Sequence, residues 1–181
     1  MRSSLRLAAI VATFVSGTGI AHADAMPINL IMLMPGDKDQ RAAFAERLRQ
    51  IPYFAKAEDE NNDGSTLLLI VSVAQVPTGG GAAASATTGL LAASTLGLIP
   101  TVENKNVVVH YEVRANSMSI ASFDYTQNFT SVSNIFGNFG KLPDDAREWL
   151  MKTIDDLGRD AQGNTGLAAL QAEYDVYFGK R

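Results

Sequence analysis

The sequence predicts an α+β domain: a small mixed or antiparallel sheet with helices on one face, in the order β-α-β, a long uncharged insertion, β-β, then two helices. Three observations predict it. Short apolar runs of strand length lie at 27–34 and 65–76. A period-two alternation at 104–115 is followed by a short turn and a second strand-like run. Two segments of helical period close the chain, so strands and helices are segregated rather than alternating throughout.

The chain has 181 residues and opens with MRSSLRLAAIVATFVSGTGIAHA. Arg2 and Arg6 precede a short apolar stretch, Leu7 to Val15, and Ala21-His22-Ala23 has the small-x-small form of a cleavage site. These are the three parts of a secretory signal peptide, and the apolar part is shorter than the roughly 20 residues a spanning helix needs. Residues 1–23 are therefore expected to be removed on export to the periplasm, leaving 24–181 as one domain. Losing Arg2 and Arg6 takes the formal charge from −4 to −6, which opposes an electrostatic grip on nucleic acid. There is no cysteine, so disulfides, thiolate metal sites, a thiol nucleophile and a lipidated cysteine at the cleavage site are all excluded.

PINLIMLM (27–34) is bounded by prolines and suits a buried strand. Asp37 is placed to cap the helix that follows, with Gln40 three residues on, and Phe44, Leu48 and Ile51 form its apolar stripe up to Pro52. AEDENNDGS (57–65) has the composition of a polar turn pivoting at Asp63-Gly64. Its acids lack the spacing of a calcium loop. STLLLIVSVAQV (65–76) is apolar on both alternating faces, as a central strand is. In NKNVVVHYEVRA, Val107, Val109, Tyr111 and Val113 face one way, and Val108, His110, Glu112 and Arg114 the other. Ala115-Asn116-Ser117 turns the chain into SMSIASFDYTQNFTSV, whose apolar phase slips between Ile120 and Phe123 and predicts a bulge near Ala121-Ser122. Pro143, Asp144 and Asp145 start a helix striped by Ala146, Trp149, Leu150, Ile154 and Leu157. After Gly163-Asn164, Thr165 can cap a last helix lined by Leu167, Leu170, Tyr174 and Phe178.

Chemistry-bearing constellations are sparse. After signal removal His110 is the one histidine, so it is the one candidate base for a serine hydrolase, with Glu112 and Arg114 on its strand face. No G-x-S-x-G, S-x-x-K, P-loop or G-x-G-x-x-G pattern is present. The sequence points to no catalytic residue, no cofactor and no metal. A glycosidase pair could be drawn from Asp124, Asp144, Asp145, Asp155 or Asp156, but most of these sit where helix surfaces and caps are expected.

The strongest signal is compositional. From Gly64 to Val102 there is no charged residue. As a helix, 78–99 would extend about 33 Å at about 1.5 Å per residue, near the apolar thickness of a bilayer. Gly81, Ser85, Gly89, Ala93 and Gly97 form a ladder of small residues at every fourth position, the spacing that permits close helix approach in membranes. Yet the large apolar residues, Leu90, Leu91, Leu96, Leu98 and Ile99, lie in the second half and contribute only about −2 to −3 kcal/mol to insertion. The insertion 78–100 thus divides into a spacer, 78–88, and a leucine-bearing half, Gly89 to Ile99. Three readings are open for it: a loop folded back on the domain, a segment that docks on a membrane or an envelope protein, and a core helix. Docking is preferred, because so many leucines do not suit an idle loop.

The signal peptide, β-α-β opening, neutral segment ending in TLGLIP (Thr95 to Pro100) and following hairpin resemble a group of small exported proteins and lipoproteins of Gram-negative bacteria. That resemblance implies an envelope location and this architecture, and it implies no activity, since the group has none established. The expectation is a non-enzymatic periplasmic protein, peripherally membrane-associated or protein-bound through 89–99. Two alternatives stand beside it: a hydrolase using His110, and a small-ligand binder with a pocket near Trp149 and Tyr174. Oligomeric state is left open.

Overall fold

A computed structural model describes residues 25–59, 66–78, 101–133 and 142–179. The signal peptide, the acids Glu60 and Asp63, and the neutral segment with its leucines and small-residue ladder lie outside the described residues.

Five strands and three α-helices are described. They are β1 (Ile28–Leu33), α1 (Lys38–Leu48), β2 (Ala57–Asp59), β3 (Leu67–Pro77), β4 (Thr101–Ala115), β5 (Met118–Ser133), α2 (Asp144–Gln162) and α3 (Thr165–Phe178). They form one mixed sheet in the order β2-β1-β3-β4-β5. β1 pairs in parallel with β2 and β3, and the β3–β4 and β4–β5 pairs are antiparallel. The α+β class is as predicted.

One strand was not expected. Glu58 and Asp59 belong to β2, which runs beside Ile28–Leu30 rather than forming a turn. A strand of three residues carries no period, so composition alone misassigned it. Its position is fixed from α1: Arg49 Nε donates to the Ala57 carbonyl at 2.7 Å. Between α1 and β2, Pro52–Phe54 form a short 3-10 turn that buries Phe54.

The helices cover one face of the sheet. Alternate residues of the long strands, Leu69, Val71, Val107, Val109, Tyr111 and Val113, are buried there against Phe44 and Leu48 of α1, Leu150, Ile154 and Leu157 of α2, and Leu167 of α3. The intervening residues, Leu68, Ile70, Val108, His110 and Glu112, lie on the opposite face, which none of the described helices covers, and are partly exposed. The predicted alternation of β4 therefore holds residue by residue.

The ends of the elements obey local rules. Asp37 caps α1, its Oδ1 accepting from the Gln40 N–H at 2.8 Å. The cap of α3 is Asn164, whose Oδ1 accepts from the Leu167 N–H at 3.0 Å; Thr165, the residue expected in that role, lies inside the helix. The β4–β5 turn is Asn116-Ser117 with φ of 49° and 69°, both left-handed as a type I′ hairpin requires. The bulge falls one residue before its predicted place. Val113 faces Ala121 and Arg114 faces Ser119, leaving Ile120 as the extra residue.

Candidate functional site

His110 stands on the face away from the described helices, between Ser72 of β3 and Asp124 of β5, each directly opposite it in the ladders. Its Nδ1 is 2.7 Å from Asp124 Oδ1 and its Nε2 is 3.9 Å from Glu112 Oε2. Glu112 also lies 2.9 Å from Arg114 Nε, and this guanidinium is the main reason its carboxyl is held below the ordinary value of 4.5. The polar row continues along the hairpin. Asn128 Nδ2 donates to Asn106 Oδ1 at 3.0 Å, and Thr130 Oγ1 donates to Asn104 Oδ1 at 2.5 Å.

Serine, histidine and aspartate in one cross-strand row have the composition of a nucleophile, base and orienting acid. The geometry opposes that chemistry in two ways. Among the described residues no hydrogen bond joins Ser72 to His110, and the histidine nitrogen not held by Asp124 faces Glu112. In addition, Ser72 sits mid-sheet, paired with Leu33 on one side and His110 on the other, so the backbone around it is engaged in ladders. An oxyanion needs preorganised free donors, and a continuous sheet offers none there. The row acts as a solvent-facing ladder of cross-strand pairs. Ser72 and Asp124 as partners of His110 were not identified from sequence. Their signal lay in strand parity, which is readable only once the turn and the bulge fix the register.

The two ends of the sheet differ. At one end, Pro77 pairs with Lys105 and the Thr78 N–H donates to the Asn104 carbonyl at 3.2 Å. The chain that leaves β3 there re-enters at Thr101, which pairs with Ser133 of β5. The predicted contact residues Leu90, Leu91, Leu96, Leu98 and Ile99 and the ladder Gly81, Ser85, Gly89, Ala93 and Gly97 all fall between these stems, outside the described residues.

At the opposite end, a groove of about 680 Å³ lies between the second half of α3 and the sheet. Met26, Ile28, Leu67, Leu170 and Tyr174 line it, with Lys56, Glu58 and Glu173 among its polar groups. The rings of Tyr174 and Phe178 pack at a tilt with centroids 5.1 Å apart. Phe178, expected to line the same side as Leu167, is 69 % exposed; Leu167 is buried in the core and Leu170 packs partly against it. Trp149 is not part of this groove; it packs against Phe129 of β5 at 5.6 Å.

Among the described residues no group of three or more His, Cys, Asp or Glu is disposed to hold a metal, and no helix is long and apolar enough to cross a membrane.

No family model matches the chain, and no curated protein matches it. Solved structures similar to it include two lipoproteins. One is a minor lipoprotein from Acinetobacter baumannii, at 12% identity over 80% of this chain and 95% of that one, with a TM-score of 0.30. The other is the rare lipoprotein B from Shewanella oneidensis, at 9% identity over 84% of this chain and 99% of that one, with a TM-score of 0.22. Both are lipoproteins of Gram-negative bacteria, the group the sequence resembles, but a likeness at this level assigns neither activity nor location.

Proposed function

We propose that the protein is an exported, non-enzymatic component of the cell envelope that docks on a membrane or a protein partner through residues 89–99. The observation that carries this reading is the way the insertion is mounted. Both stems sit on adjacent antiparallel strands, Pro77 opposite Lys105, so the uncharged stretch leaves and returns at one end of a rigid sheet. Docking there is driven by burial of Leu90, Leu91, Leu96, Leu98 and Ile99, at about 25 cal/mol per Å² of apolar surface. The small residues Gly81, Ser85, Gly89, Ala93 and Gly97 allow close approach to the partner. The hydrolase alternative is the weaker one, because among the described residues no nucleophile is hydrogen-bonded to His110 and the sheet around Ser72 offers no free oxyanion donors.

Fractionation of cell envelopes tests the reading. Leu91→Asp and Leu98→Asp are expected to release the protein from the membrane or from its partner complex while its circular dichroism spectrum is unchanged. Variants that stay folded and still fractionate with the envelope as the parent does would exclude docking through this segment.

A further inference from the structure

The outer edge of β5 is the longest unpaired backbone in the described sheet. β4 is its one neighbour, and the strand runs from Met118 to Ser133. At about 3.3 Å per residue this edge extends about 50 Å. Natural sheets blunt such edges with lysine, proline, charge or a covering element. β5 contains no proline, lysine, arginine or glycine, and Asp124 is its one charged residue. Its bulge at Ile120 interrupts only the first few residues. Most of the side chains from Ser122 to Thr130 are exposed or half-buried.

The order of residues along this edge is self-complementary. Consider a second copy laid antiparallel against it, related by a two-fold axis perpendicular to the sheet at Thr126. Thr126 then faces Thr126 of the second copy, Asp124 faces Asn128, Phe123 faces Phe129, and Tyr125 faces Gln127. Threonine pairs, aromatic pairs and an acid opposite an amide are all favourable cross-strand neighbours. Centring the axis on Asp124 instead would oppose two carboxylates. The axis preserves faces, so Phe123 and Phe129 of each copy stay on the helix-covered side while Asp124, Thr126 and Asn128 stay with the polar row.

We propose that β5 is a homodimerisation edge: two copies pair antiparallel about Thr126 to form one continuous ten-stranded sheet. The contact is isologous and closes with two copies, so no exposed edge remains at β5 to recruit a third.

Sedimentation of the purified protein over a concentration series is expected to show a monomer–dimer equilibrium. Thr126 is exposed in the single chain, so charged replacements there leave the fold intact. Thr126→Lys and Thr126→Asp each oppose like charges across the axis and are expected to weaken the dimer at least about tenfold, whereas an equimolar mixture of the two restores it. Because the chain has no cysteine, one introduced thiol reports the register. Cα atoms directly opposed on antiparallel strands are about 4.5–5.5 Å apart, within disulfide range. Thr126→Cys should cross-link on oxidation. Thr130→Cys, about 26 Å from its counterpart in this register, should not. A protein that is monomeric throughout, a dimer indifferent to Thr126→Lys, or cross-linking at 130 rather than 126 would each overturn the proposal.

Discussion

Tyr111 is the side chain on which the two layers meet. It is fully buried, stacks on Phe44 of α1 with centroids 6.4 Å apart, and meets the Tyr125 ring edge-on at 5.9 Å. Its hydroxyl is 2.7 Å from Thr153 Oγ1. Thr153 spends its own proton on the Leu150 carbonyl, also at 2.7 Å, so the phenol is the donor of the pair. Burial raises the Tyr111 pKa above its ordinary value of 10.0. The sign of the linkage follows. The folded protein holds this proton at a pH where the unfolded chain releases it, so the stability contributed is complete below about pH 10 and is lost as pH rises toward the higher folded value. Tyr111→Phe keeps the ring and removes the ionisation. It is expected to cost about 0.5–1.5 kcal/mol at neutral pH, since Thr153 retains its carbonyl partner. Above pH 10 it should flatten the loss of stability by about 1.4 kcal/mol per pH unit. Urea titrations of both proteins at pH 7 and across the alkaline range check this, and parallel alkaline limbs would refute it. Sequence alternation showed that Tyr111 points inward. It could not show the hydroxyl's partner, because Thr153 lies on another element and belongs to no apolar stripe.

At the level of elements, legibility tracked how many residues share one environment. α2 was readable because Ala146, Leu150, Ile154 and Leu157 all face the core, and all are buried. α3 was less so. Its composition is apolar nearly all round, which says that it is a helix but not which side is covered, and Phe178 proved exposed. β2 was not readable at all, since its place depends on the Arg49 bond to Ala57 and on pairing with β1. Close packing of helix on strand makes two glycines respond oppositely to the same change. In α2, a methyl group on Gly158 would sit 3.5 Å from Ile51, an ordinary contact. In α3, one on Gly166 would stand 2.5 Å from the Ile120 carbonyl at the bulge of β5. Alanine is favoured over glycine inside a helix by about 1 kcal/mol. Gly158→Ala should therefore raise the unfolding free energy by up to that amount and move the urea midpoint upward. Gly166→Ala should lower it despite the better propensity, because backbone and not a flexible side chain must yield. Equal effects from the two substitutions would mean that α3 does not rest on the bulge as described.

For the whole molecule, the sheet separates two kinds of surface. The groove and the exposed Tyr177 and Phe178 lie at the end where β1 begins and β4 turns into β5. The uncharged insertion is held between stems at the other end, where Thr78 meets Asn104. Antiparallel pairing of β5 across a two-fold axis would direct the insertions of the two copies in opposite directions, so a dimer would present a contact segment at each extremity. The mounting also bears on folding. Each described strand is paired, and the buried cluster among the described residues draws on 28–57, 69–71, 107–129 and 142–167. A hairpin whose stems already face each other needs only a short turn. Replacing 79–103 with Asn-Gly between Thr78 and Asn104 should leave a folded domain. Loop closure becomes easier by about 0.6 kcal/mol for each halving of loop length, so shortening by more than three halvings favours folding by about 2 kcal/mol. Removal of the three β4 residues that precede Asn104, which pair with 131–133, offsets part of that gain. The expected outcome is an unchanged circular dichroism spectrum, a urea midpoint at or above that of the parent, and loss of the envelope-associated fraction. Loss of folding would mean that the leucine-bearing half is core, and docking would then need another surface. Retention of both fold and association would move the contact away from this end of the sheet. Only the separation of the two properties, fold kept and association lost, is what a docking segment mounted on a self-sufficient sheet predicts.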